Sequence, residues 1–128
     1  SLGHSKIRVV LVDDHQLLRQ GLRTIVNAHP QLEVVGEAGD GLEAIELVRT
    51  LKPGVVVMDV NMPRCDGVQA TRRIKEEFPE IHILALSMHN SPDMVERMQQ
   101  AGACGYLTKE SAGGQLCRAI VEATVSTP

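Results

Sequence analysis

Five short apolar runs recur along this chain, and they constrain its fold more than any other feature. They cover residues 7–12, 32–38, 55–59, 81–86 and 105–108. Several are continuous Val, Ile and Leu rather than alternating apolar and polar, Val55-Val56-Val57-Met58 most plainly. Such runs fit strands buried on both faces, as a parallel sheet requires. Between them lie helix-length amphipathic stretches at 14–28, 40–50, 66–78, 91–101 and 111–125. The first places Leu17, Leu18, Leu22, Ile25 and Val26 at helical spacing, and the second does the same with Leu42, Ile45 and Val48. Asp40 and Ser91-Pro92 are helix-start signals. His29-Pro30, Lys52-Pro53-Gly54, Phe78-Pro79 and Ala101-Gly102 punctuate the elements. Alternating strands and helices predict a doubly wound α/β domain, a five-stranded parallel sheet with five helices on its two faces. In such sheets ligands sit outside the carboxyl ends of the strands.

Composition narrows the function. The chain has 128 residues, 43% hydrophobic and 23% charged, which suits one globular domain with a real core. A net charge of −3 without a basic block argues against nucleic-acid binding by this chain itself. Phe78 and Tyr106 are the only aromatic residues, so there is no base-stacking platform. The apolar runs are strand-sized, too short for a membrane span. Residues 1–5 carry no signal-peptide pattern and read as an extension before a domain over 6–125, with 126–128 starting a linker. Cys65, Cys104 and Cys117 form no CxxC pair. They are expected to be reduced thiols, Cys104 and Cys117 packed and Cys65 exposed in a loop, in a cytoplasmic protein.

The strand ends carry chemistry. Asp13-Asp14 follow the first run, Asp59 ends the third, Ser87 follows the fourth and Lys109 the fifth. One acid there is ordinarily a helix cap, and Asp14 alone reads that way. Acids, hydroxyl and amine at four of five ends imply a shared site. Two carboxylates about 4 Å apart repel by roughly 4 kcal/mol at an effective dielectric of about 20. Three such groups call for a cation, and hard oxygen ligands suit Mg²⁺. A carboxylate can attack phosphorus, while Mg²⁺, an ammonium and a hydroxyl hold the three phosphoryl oxygens. Asp59, Lys109 and Ser87 are therefore the candidate catalytic residues, Asp59 as phosphoacceptor. His89, two residues past Ser87, is either a plain loop residue or a tuner of dephosphorylation. His15 reads as a surface residue of a first helical turn. Tyr106 is either core filler or a moving switch.

Leu11-Val12-Asp13-Asp14-His15, Met58-Asp59-Val60-Asn61-Met62-Pro63 through Asp66-Gly67, Leu86-Ser87-Met88 and Ala101-Gly102-Ala103-Cys104-Gly105-Tyr106-Leu107-Thr108-Lys109 together resemble the receiver domain of two-component response regulators. Val34-Val35-Gly36-Glu37-Ala38 and Gly41-Leu42-Glu43-Ala44 resemble its NarL/FixJ (LuxR-type) branch. The resemblance implies a flavodoxin-like sheet of order 2-1-3-4-5. It implies Asp14, Asp59 and the Asn61 carbonyl as Mg²⁺ ligands, with Asp13 acting through water. It implies Ser87 and Tyr106 as a switch pair and a sensor histidine kinase as phosphodonor. A homodimer formed on phosphorylation, and control of transcription through a helix-turn-helix domain outside this chain, are also implied. DNA is then reached only through that domain, and no membrane is involved. The chain would catalyse only its own phosphotransfer and dephosphorylation. Two rivals are an aspartate-nucleophile phosphatase of the haloacid-dehalogenase type and a pseudo-receiver that never takes phosphate. The first wants a second Asp two residues after the nucleophile, where this chain has Asn61.

Overall fold

The computed structural model describes residues 5–125. The expected extension falls largely, and the expected linker start wholly, outside them. The elements are β1 (Ile7–Val12), α1 (Gln16–Ala28), β2 (Leu32–Ala38), α2 (Gly41–Leu51), β3 (Val55–Asp59), α3 (Gly67–Glu77), β4 (His82–Ser87), α4 (Pro92–Ala101), β5 (Gly105–Thr108) and α5 (Lys109–Val125). All strands pair in parallel in the order β2-β1-β3-β4-β5. The expected architecture and strand order both stand.

The continuous apolar runs serve two cores at once. Val10, Val12, Val56, Met58, Ile83 and Ala85 face α2, α3 and α4. Their neighbours Val9, Leu11, Val55, Val57, Leu84 and Leu86 face α1 and α5. Strand residues alternate between faces, so a strand sandwiched by helices must be apolar at every position.

Helix starts follow their caps. Asp40 Oδ1 accepts from the Glu43 N–H at 2.9 Å, and Ser91 Oγ accepts from the Met94 N–H at 3.3 Å ahead of Pro92. Asp66 and Gln69 form a reciprocal capping box. Asp14 does not cap: α1 begins at Gln16, two residues later than expected, with His15 at the capping position. α5 begins earlier than expected, at Lys109, with Thr108 Oγ1 accepting from the Ser111 N–H at 3.2 Å. The expected apolar faces of α1 and α2 are also narrower than their spacing suggests. Leu17, Ile25 and Leu42 are 84%, 37% and 47% exposed, because these helices cross the sheet near its margin and touch it along a narrow stripe.

Candidate functional site

Register brings the strand ends together. Val12 lies beside Met58 and Asp59 beside Leu86, so one step past Val12 sets Asp13 next to Asp59. Ser87 pairs with Thr108, which places Lys109 one step beyond β5. β1 is also where the chain turns outward to β2 on one side and to β3 on the other, the switch point at which such sheets bind ligands.

Asp13 and Asp59 are almost wholly buried, at 1% and 2% exposure, and the Lys109 side chain is 5% exposed between them. Lys109 Nζ lies 3.0 Å from Asp13 Oδ2 and 3.3 Å from Asp59 Oδ2. Its aligned hydrogen bond goes to Asp13 Oδ1 at 3.2 Å. Neither buried Oδ2 receives a hydrogen bond among the described residues. Asp59 Oδ1 accepts the Asn61 N–H at 3.3 Å. Burial first, and the Asp13 charge second, push the Asp59 carboxyl up to about 7, although Lys109 pulls the other way. Asp14 stands at the rim with its side chain 34% exposed.

Three carboxylates around one ammonium are under-compensated, and two buried oxygens have unused acceptor capacity. A hard divalent cation fits that donor set. Asp13, Asp14, His15 and Asp59 can bring one ligand atom each to within 4.8 Å of one another. His15 is at the surface as expected, its side chain 61% exposed, and its Nδ1 lies 3.2 Å from Asp13 Oδ1, 3.5 Å from Asp14 Oδ1 and 3.0 Å from Lys109 Nζ. The Asp13 side chain causes this by accepting the His15 N–H at 2.8 Å, a turn that sequence spacing does not announce.

The loop after β3 is closed by a glycine. Gly67 N–H donates to the Val60 carbonyl at 2.9 Å, and a Cβ there would meet the Asp59 carbonyl at 2.1 Å. Arg64, at φ 67°, pairs with Asp40, and the Gly41 N–H donates to the Cys65 carbonyl at 3.0 Å. The loop therefore leans on the start of α2 and folds Cys65 inward. Cys65 is buried and Cys104 exposed, the reverse of the expectation for both, and Cys117 is half-buried. Cys104 sits on the turn before the edge strand β5. Burial pushes the Cys65 thiol above its ordinary range, which weakens any redox reading of it.

Ser87 is buried at the end of β4, where its Oγ accepts the His89 N–H at 3.3 Å. Tyr106 lies away from the acids, its ring against the core and its hydroxyl donating to the His89 carbonyl at 3.1 Å. The backbone of His89 thus joins the two expected switch residues.

Residues 9–121 match the family described as "Response regulator receiver domain". The chain belongs to the response regulator receiver family. It is 40% identical over 119 residues to the transcriptional regulatory protein DegU of Brevibacillus brevis, covering 93% of this chain and 50% of that protein. It is 39% identical over 122 residues to LiaR of Bacillus subtilis (strain 168), covering 95% and 58%. Its structure resembles the signal receiver domain assigned to NarL of Mycobacterium tuberculosis, with a TM-score of 0.91 at 33% identity, covering 96% of this chain and 99% of that one. A LuxR-family two-component response regulator from Aurantimonas sp. SI85-9A1 matches with a TM-score of 0.87 at 39% identity, covering 91% and 84%. These relatives agree with the NarL/FixJ branch. The chain spans about half the length of the curated relatives it matches. Receiver domains are signalling modules that bind Mg²⁺ at an acidic pocket, and this chain carries a cluster of acids at its strand ends. No helix of the described residues is long and apolar enough to cross a membrane.

Proposed function

We propose that Asp59 is the phosphoacceptor of a phosphorylation-driven switch and that Mg²⁺ is held by Asp14, Asp59 and the Asn61 carbonyl, with Asp13 acting through water. The observation that carries this reading is the buried Asp59 carboxylate, 3.3 Å from Lys109 Nζ, with one oxygen receiving no hydrogen bond. When bound, Mg²⁺ supplies positive charge for the carboxylates and for a phosphoryl oxygen.

An Asp59 oxygen attacks the phosphorus of a phosphohistidine on a sensor kinase. The P–N bond breaks, and its electron pair stays on the departing imidazole. Lys109 meets the growing charge on a second phosphoryl oxygen, and the Ser87 hydroxyl donates to a third. For that donation Ser87 need only turn its O–H, since its oxygen at present accepts from His89. Exposed Leu17 and Met88, with Leu18, surround His15, Lys109 and Glu110 at the mouth of the site. This apolar rim suits the approach of the phosphodonor protein.

A phosphoryl group adds about −1.5 to −2 charge and strong acceptors. Drawing Ser87 toward it disturbs the His89 peptide, and the Tyr106 hydroxyl is hydrogen-bonded to that same residue. The switch surface over β4, α4 and β5 then changes toward a dimer partner or an output domain. Hydrolysis of the aspartyl phosphate resets the switch, with His89 tuning its rate. The setting is a cytoplasmic transcription regulator in which this receiver, over 6–125, controls a helix-turn-helix output domain.

Incubation with acetyl phosphate and Mg²⁺ tests the chemistry. Intact mass spectrometry should show a gain of one phosphoryl group that Asp59→Asn lacks. No gain in the wild type, or an equal gain in the variant, rejects the scheme. Absence of Mg²⁺ uptake would instead favour a pseudo-receiver.

A further inference from the structure

β1 ends at Val12, so from Asp13 onward the chain has left the ladder and its peptide groups need other partners. The Asp13 N–H donates to the Ala38 carbonyl at 3.0 Å, at the end of β2. The Asp13 carbonyl accepts from Arg19 Nη1 at 2.6 Å. The same guanidinium donates from Nε to Glu37 Oε1 at 2.9 Å, and its Nη1 also lies 3.5 Å from the Ala38 carbonyl. Glu37 takes a second donor, Arg23 Nη1, at 3.1 Å. The Arg19 and Glu37 side chains are only 18% and 20% exposed.

A largely covered ion pair gains little net stability, because desolvation offsets its attraction. Two apolar side chains would pack α1 against β2 equally well. They could not donate to the Asp13 carbonyl. That carbonyl lies in the rigid peptide plane joining Asp13 to Asp14, and holding it sets the direction in which Asp14 leaves the sheet. Asp14 has little else to orient it. It does not cap α1, and among the described residues its one close side-chain partner is the His15 ring at 3.5 Å.

We propose that Arg19 is a positioning residue for the divalent-cation site: braced by Glu37, it locks the Asp13–Asp14 peptide so that Asp14 presents its carboxylate beside Asp59. This rests on the reading of Asp14 as a Mg²⁺ ligand. The sign of the effect separates positioning from simple electrostatics. Removing a nearby cation should tighten Mg²⁺ binding by Coulomb's law. Releasing the peptide plane should weaken it.

Calorimetric titration of the whole chain with Mg²⁺ distinguishes these outcomes. Arg19→Met should bind about tenfold more weakly, a size typical of losing a group that orients a metal ligand. Arg19→Lys should not restore affinity, because an ammonium lacks the planar fork that serves Glu37 and the backbone together. Arg23→Met, which removes the other partner of Glu37, should bind as the wild type does. Unchanged or tighter binding in a folded Arg19→Met overturns the proposal. If that variant does not fold, wild-type affinity in Arg19→Lys overturns it equally. A wild type whose Mg²⁺ uptake ignores Asp14→Asn overturns the underlying ligand assignment, a result distinct from Asp14-dependent uptake that ignores Arg19.

Discussion

The two halves of the strand-end edge are built differently. Where β1 and β3 end, Asp13 and Asp59, with the Lys109 ammonium that reaches between them from the end of β5, are nearly sealed from solvent and bound by several ionic contacts over 3.0–3.3 Å. At β4 and β5, Ser87, His89 and Tyr106 are joined by two single hydrogen bonds of 3.3 and 3.1 Å, the second at the surface. The first half concentrates charge and holds it in place. The second is held weakly enough for a new charge to rearrange it. A switch needs both properties, because a local charge moves a distant surface only if its anchor is firmer than its lever.

The sharpest way to break this contrast is at Asp59. Asp59→Asn should lose all acetyl-phosphate labelling while keeping the fold, as followed by mass spectrometry and circular dichroism. Lys109→Met should come next. Removing the cation from a buried ion cluster costs about 3–5 kcal/mol. Urea unfolding at neutral pH should show a loss of that order, shrinking as acid protonates the carboxylates. Full retention of stability would mean the acid half is less confined than its burial indicates.

Gly67→Ala probes the loop that closes this half. The added methyl would overlap the Asp59 carbonyl. Overpacking of this kind costs typically 1–3 kcal/mol. A lowered unfolding midpoint together with slower labelling is expected, and a neutral substitution would show that the loop yields.

The pH dependence has a definite sign. The Asp59 carboxyl rises from 3.8 to about 7 on folding. Between those values the folded chain keeps a proton that the unfolded chain has lost. This contribution is fully present below the lower value and is lost as pH rises through the upper one. Metal-free stability of the wild type should therefore decline from about pH 4 to pH 7 relative to Asp59→Asn. Mg²⁺ should recover it. Parallel curves for the two proteins would contradict the burial of the charge.

The smallest effect belongs to the lever. Tyr106→Phe removes one exposed hydroxyl bond, which is worth about 0.5 kcal/mol in stability. If nuclear magnetic resonance shows the loop around His89 unchanged by this substitution, Tyr106 is filler rather than latch.

Much of this was legible in the chain itself. The continuous apolar runs dictated strands covered on both faces, and one-residue steps past their ends put acids, hydroxyl and amine on one edge. Side-chain period and backbone direction are local properties, so spacing carries them. Contacts made by turns and by distant elements are not local. The approach of the exposed His15 ring to Lys109, the His89 joint, the clamp of Arg19 on the Asp13 carbonyl and the inversion of Cys65 and Cys104 arise where loops rest on neighbours 6 to 94 residues away in sequence. Residue types determined which groups could meet. Only packing in three dimensions decided which atoms did, because an unpaired peptide group takes whatever partner the completed fold brings within reach.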